Sequence, residues 1–249
     1  MEVLKTEKLF KSYGGLKILQ DLSFKVKTGE RVAIIGPNGA GKTTLINILS
    51  GIIPCDSGQI YLFGKEVTAL STYKRVHLGM GRSFQITRLF GNLTVIENIL
   101  LGLHGTKSSR YHMFRRNTSY REQLVEAQKL LESIDLWDKR NELVQAISYG
   151  EQRKLDITLT LSSEAKFLLL DEPTAGLSIA EIPRFIETIK ALAKGTTVVF
   201  ACHDMDTVFN LASRVIMLYY GQIIADGTPE EIRCDSRVQD IYLGSKVKS

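Results

Sequence analysis

No apolar run in this 249-residue chain reaches the ~18 residues that a membrane-spanning helix needs. Runs such as 167–170 and 198–202 have the length of buried strands. The first ten residues alternate charged and apolar side chains and lack the unbroken apolar stretch of a secretory leader, which predicts a cytoplasmic chain. Cysteine is scarce. Cys55, Cys202 and Cys234 have no metal-ligand spacing, and an odd number of thiols in a reducing compartment argues against a disulfide framework. There is no compositional bias towards disorder and no internal repeat of solenoid length. With 44% hydrophobic and 24% charged residues the chain can bury a sizeable core. A net charge of +5 admits polyanionic ligands but is spread along the chain, apart from Arg110, Arg115 and Arg116, so it does not single out nucleic acid as a partner.

The order of elements predicts an α/β fold. Residues up to 26 alternate apolar and polar around Gly14-Gly15, as in an antiparallel hairpin. A short strand at 32–35 runs into a glycine-rich loop, and a helix at 43–50 follows, ended by Gly51 and Pro54. Apolar strands at 167–170 and 197–202 flank a helix at 179–194, the alternation of a parallel sheet. Between about 86 and 161 the pattern changes, and 94–103, 119–134 and 150–161 have helical period without a convincing strand. Strands at 215–219 and 222–225 join at Gly221, and two short helices end the chain, the first opened by Thr228 and Pro229. The expected domains are therefore 1–85, an antiparallel β subdomain with the first part of a core; 86–161, a helical insertion; and 162–249, the second part of the core.

The loop Gly36-Pro37-Asn38-Gly39-Ala40-Gly41-Lys42-Thr43-Thr44 satisfies G-x-x-x-x-G-K-[ST] between a strand and a helix. Its glycines let backbone amides converge on phosphates, Lys42 reaches the outer phosphates, and the Thr43 hydroxyl suits Mg²⁺. A second element, Phe167-Leu168-Leu169-Leu170-Asp171-Glu172, brings two carboxylates to the carboxyl end of a strand, where open α/β sheets bind ligands. Asp171 suits Mg²⁺, and Glu172 suits activation of water, which separates a hydrolase from a kinase. A third, Ile147-Ser148-Tyr149-Gly150-Glu151-Gln152, puts hydroxyl and amide donors at a helix start.

Ile147 to Gln152 resembles the signature of ATP-binding-cassette ATPases, usually Leu-Ser-Gly-Gly-Gln, and the resemblance extends over essentially the whole chain. It implies a P-loop NTPase, RecA-like core with an N-terminal antiparallel β subdomain and a helical insertion, binding ATP and Mg²⁺. It further implies that Tyr13 stacks on adenine, that Gln85 senses Mg²⁺ and water, that His203 contacts the γ-phosphate, and that Ser148 and Gly150 act on ATP held by a second ATPase subunit. Glu172, His203, Gln85 and Lys42 are thus the expected catalytic set, and Thr43, Gln85 and Asp171 the metal set. Two departures stand out: Ser178 where the family usually has an Asp, and Glu151 in place of the signature Gln.

Within the family, Gly81-Arg82-Ser83-Phe84-Gln85-Ile86-Thr87-Arg88-Leu89-Phe90 and the ending Tyr242-Leu243-Gly244 are similar to ATPase subunits of branched-chain amino acid importers. Subunits for urea, aromatic-acid or lipopolysaccharide transport share much of this vocabulary. The resemblance implies transmembrane permease partners and a peripheral position on the inner face of the cell membrane. A soluble cassette of DNA repair or translation would carry a long coiled-coil insertion or tandem cassettes, and this chain has neither.

Overall fold

The computed structural model describes residues 1–83, 89–106, 117–162 and 165–244. The chain divides into two compact units, the first formed by 1–82, 165–172 and 194–249, the second by 83–164 and 173–193.

The first unit holds two sheets. In one, β1 (Glu2–Tyr13) pairs antiparallel with β2 (Leu16–Lys27) and with β4 (Ser57–Leu62), which carries β5 (Lys65–Glu66) on its outer edge. The alternation of β2 places Leu22, Phe24 and Val26 inside and the residues between them in solvent, as expected of a sheet covered on one face. The other sheet has the order β10-β9-β3-β8-β7-β6. Here β3 (Arg31–Ile35), β7 (Phe167–Asp171), β8 (Thr197–Ala201) and β6 (Met80–Arg82) run parallel, β9 (Arg214–Tyr219) joins β3 in parallel, and β10 (Gln222–Gly227) closes the edge antiparallel. Every residue of β7 and β8 is buried, which is why those runs are continuous rather than alternating. Helix α1 (Lys42–Leu49) packs Leu45, Ile46, Ile48 and Leu49 into the core shared with β1, β2 and β4.

α2 (Thr72–His77), α7 (Met205–Leu211), α8 (Pro229–Cys234) and α9 (Ser236–Gly244) complete this unit. The helices expected near the end of the chain are α8 and α9, and Thr228 caps α8 in a capping box with Glu231. By contrast β4, β6, α2 and α7 were not apparent from the sequence pattern.

The second unit is helical: α3 (Val95–Thr106), α4 (Asn117–Ser133), a 3₁₀ turn at Val144–Ala146, α5 (Tyr149–Leu161) and α6 (Ile182–Leu192). Helix α6, read from sequence as a core crossover, packs on α5 in this unit and buries Phe185, Ile186 and Ile189.

Candidate nucleotide site

Strand β3 is buried along Val32, Ala33, Ile34 and Ile35 and delivers the chain directly into the glycine-rich loop. Gly36 has φ +146°, and a Cβ there would lie 2.2 Å from the Leu218 carbonyl oxygen, so the loop leaves the sheet where only glycine fits against β9. Gly41, with φ +102°, precedes α1, and its missing Cβ would sit 2.7 Å from a Leu19 methyl and 2.8 Å from the Ile18 carbonyl oxygen of β2. A hydrogen bond from Gly221 N to Ala40 O (3.2 Å) ties the loop to the β9–β10 turn.

The first turn of α1 holds no acidic residue, so its positive end is left for an anion. Lys42 is 9% exposed and folds back over the loop, donating from Nζ to Gly36 O at 2.6 Å and to Pro37 O at 3.1 Å. Burial pushes its ammonium below the usual lysine range, and the charges of Glu172 and Asp171 oppose that shift. Lys42 and the two carboxylates from the end of β7 therefore share one electrostatic environment.

Asp171 ends β7 and is 1% exposed. Glu172 leaves the strand with φ +51°, a rare conformation for a non-glycine residue, held by a 2.9 Å bond from its N–H to Ala201 O of β8. Its Oε2 lies 2.8 Å from Nδ1 of His203, which follows β8 and whose ring is 68% exposed. Parallel pairing of β7 with β8, Asp171 opposite Ala201, is what brings these distant residues together. Tyr13 stands at the end of β1 with its ring half exposed and Lys11 Nζ 5.2 Å from the ring centroid. Lys11 in turn is held by Asp56 at 2.7 Å.

A carboxylate at the end of β7 and the exposed hydroxyl-bearing Thr43 are hard oxygen donors, the ligand type of Mg²⁺. Among the described residues no group of three or more His, Cys, Asp or Glu could hold a metal, so a cation here would depend on oxygen atoms brought by a phosphate ligand. Such sparse protein ligation fits Mg²⁺. Gln85 lies outside the described residues.

Ser148 and Gly150 belong to the second unit. Ser148 caps α5: its hydroxyl accepts from Glu151 N, and Glu151 Oε2 accepts from Ser148 N at 2.9 Å. Glu151 Oε1 also takes Lys139 Nζ at 2.7 Å. Although burial acts to raise it, Lys139 and Ser148 hold the Glu151 carboxyl below its usual range. The residue that departs from the family signature is thus the reciprocal half of the cap. Gly150 sits so close to Gly176 that a Cβ would be 2.7 Å from the Gly176 carbonyl oxygen, and Tyr149 covers Gly176 itself.

The second departure is equally well occupied. Ser178 donates to Glu181 Oε2 from its N–H (3.0 Å) and its hydroxyl (2.7 Å), while Glu181 Oε1 takes Lys154 Nζ at 2.5 Å. Sequence reasoning missed Lys139, Lys154 and Glu181. The Ser-x-x-Glu spacing at 148–151 and 178–181 was the signal that could have found the two carboxylates.

The ABC transporter family model matches residues 19–175, and a model described as branched-chain amino acid ATP-binding cassette transporter matches residues 222–248. The chain is 33% identical over 251 residues to the lipopolysaccharide export system ATP-binding protein LptB of Haemophilus influenzae, covering 100% of both. It is 35% identical over 255 residues to the high-affinity branched-chain amino acid transport ATP-binding protein BraF of Pseudomonas aeruginosa, covering 97% of this chain and 98% of that one. Among solved structures, the ADP conformation of MJ1267, an ATP-binding cassette of an ABC transporter, superimposes with a TM-score of 0.81 at 30% identity over 98% of this chain and 99% of that chain. The dimeric post-hydrolysis state of the ATP-binding cassette MJ0796, bound to ADP and Pi, superimposes with a TM-score of 0.78 at 25% identity over 91% and 98%.

Proposed function

This chain belongs to the ABC transporter family as an ATP-hydrolysing subunit, and from that premise we propose that it powers the import of branched-chain amino acids. The observation that carries the choice of cargo is the match of the branched-chain family model to 222–248, the segment holding β10, α8 and α9. BraF and LivG of Salmonella typhimurium, both at 35% identity, support the same reading. The whole-length likeness to LptB favours a second reading, lipopolysaccharide export.

In the proposed mechanism the loop from Gly36 to Thr44 wraps the phosphates of ATP, and Lys42 exchanges the carbonyls of Gly36 and Pro37 for phosphate oxygens. Tyr13 offers its exposed ring to the adenine. Asp171, Thr43 and Gln85 would hold Mg²⁺, which would supply positive charge to offset that of the phosphates. Glu172 accepts a proton from the water whose oxygen attacks the γ-phosphorus, and ADP departs as the phosphoanhydride bond breaks. His203, fixed against Glu172, stabilises charge developing on the γ-phosphate. Ser148 and Gly150 close on the ATP of a second ATPase subunit, of the same or another kind, so that each site is completed by its partner. Closure and reopening move permease subunits at the inner face of the membrane. Among the described residues no helix is long and apolar enough to cross a membrane.

Uptake of labelled leucine by cells deleted for this chain tests the cargo. Wild-type chain should restore uptake and Glu172→Gln should not. Intact uptake in the deletion strain, with lipopolysaccharide missing from the cell surface, would replace the first reading by the second.

A further inference from the structure

Helix α1 carries Lys42 and Thr43 at its start; at its other end the N–H groups of Ser50, Ile52 and Gly51 bond Ile46 O, Asn47 O and Ile48 O, and the carbonyls of Ile48 and Leu49 take a further donor. A side chain from α2 meets them. Arg75, 1% exposed, donates from Nη1 to Ile48 O (2.8 Å) and Leu49 O (2.7 Å), from Nε to Leu70 O (3.0 Å) and from Nη2 to Thr68 O (3.1 Å). All four acceptors are backbone carbonyls. Burial pushes the guanidinium down to about 10, so it remains a cation at neutral pH. A buried cation without a carboxylate is costly unless dipoles replace its hydration, and here the negative end of α1 supplies them.

The chain is built closely around this contact. Just past the helix, Gly51 has φ +75°, and a Cβ there would lie 2.8 Å from Leu70 O and 2.9 Å from Arg75 Nε. A second guanidinium grips the same helix end: Arg82 of β6 donates from Nη2 to Asn47 Oδ1 at 2.6 Å and from Nη1 to Ser50 Oγ. On the proposed reading the front of α1 meets the phosphates, while its rear is clamped about 12 Å away at the rise of an α-helix.

We propose that Arg75 is a positioning residue of the nucleotide site, fixing the rear of α1 so that Lys42 and the loop amides stand ready for phosphate. The inference rests on the reading of 36–44 as the phosphate site. It distinguishes two consequences of losing Arg75. If the side chain merely completes the core, its loss lowers the folded fraction and leaves the affinity of folded molecules unchanged. If it positions α1, folded molecules bind MgATP more weakly, because misplacement at a distance is felt at the site.

Titration of the purified full chain with MgATP, well below its melting temperature, separates these. Arg75→Gln should raise Kd about tenfold at undiminished stoichiometry, and Arg75→Lys, which keeps the charge with fewer donors, should recover part of the loss. Wild-type Kd with reduced stoichiometry overturns the proposal. Should Arg75→Gln fail to fold, Arg75→Lys decides alone: a raised Kd sustains the proposal and a wild-type Kd ends it. Lys42→Ala serves as the control for the underlying reading. If it binds MgATP like wild type, the phosphate site is misassigned and the role of Arg75 falls with it; if it loses binding while both Arg75 variants keep wild-type Kd, only the role of Arg75 falls.

Discussion

Nδ1 of His203 lies 2.8 Å from Oε2 of Glu172, although the two residues are thirty-one positions apart and follow different strands. The contact orients a carboxylate whose backbone is already held at φ +51°. Because the imidazole is largely exposed, removing it creates no cavity. His203→Ala should leave the melting temperature within the range of ordinary surface substitutions and lower kcat by about 10²-fold or more. Steady-state phosphate release beside a thermal melt measures both.

Gly36 and Gly39 belong to one loop but are constrained differently. A Cβ at Gly36 would collide with Leu218 O at 2.2 Å, whereas at Gly39, φ +81°, it would meet nothing within 4 Å. Gly36→Ala should therefore cost several kcal/mol, the sum of overpacking and strain, and Gly39→Ala only ~1 kcal/mol of backbone strain. Denaturant unfolding without nucleotide gives the two values.

Glu181 is held down to about 2 from 4.5, by Lys154 first and Ser178 next. Its folded value lies below its unfolded one, so the stabilisation is present above pH ~4.5 and fades as pH falls towards ~2. Since the side chain is 42% exposed, solvent screening limits the gain to ~1 kcal/mol. Glu181→Gln should cost about that much at neutral pH, with the difference from wild type closing across this acid window in denaturant titrations.

Ser178→Asp, which restores the residue usual in the family, should be unfavourable here. It replaces a hydroxyl 2.7 Å from Glu181 Oε2 by a second carboxylate. Like charges at that spacing repel, and the loss of stability should shrink when either group is protonated. A pH series of the melting temperature checks the sign.

Much of the site was legible because its chemistry is local in sequence. The loop at 36–44, the apolar strand ending in Asp171-Glu172 and the cap at Ser148 each carry their signal within a few residues. What stayed hidden depends on distant pairing. Strand β4 opens with Ser57, Gly58 and Gln59 before its apolar Ile60 and Leu62, and becomes a strand because β1 binds it. β6 has only three residues and owes its place to β7. Arg75 sits in Thr72-Tyr73-Lys74-Arg75-Val76-His77, a stretch that reads as solvated, and nothing local reveals that its guanidinium caps a helix twenty-six residues earlier. Glu151 and Ser178 looked like losses of family residues, but their replacement partners, Lys139 and Glu181, come only with the fold.

The central claim is that Glu172 activates the water that cleaves ATP. Single-turnover measurements on the assembled transporter, wild type against Glu172→Gln, address it directly: the variant should bind MgATP with wild-type affinity and release phosphate slower by about 10²- to 10⁴-fold. Phosphate release at the wild-type rate, with ATP bound normally, would contradict the account.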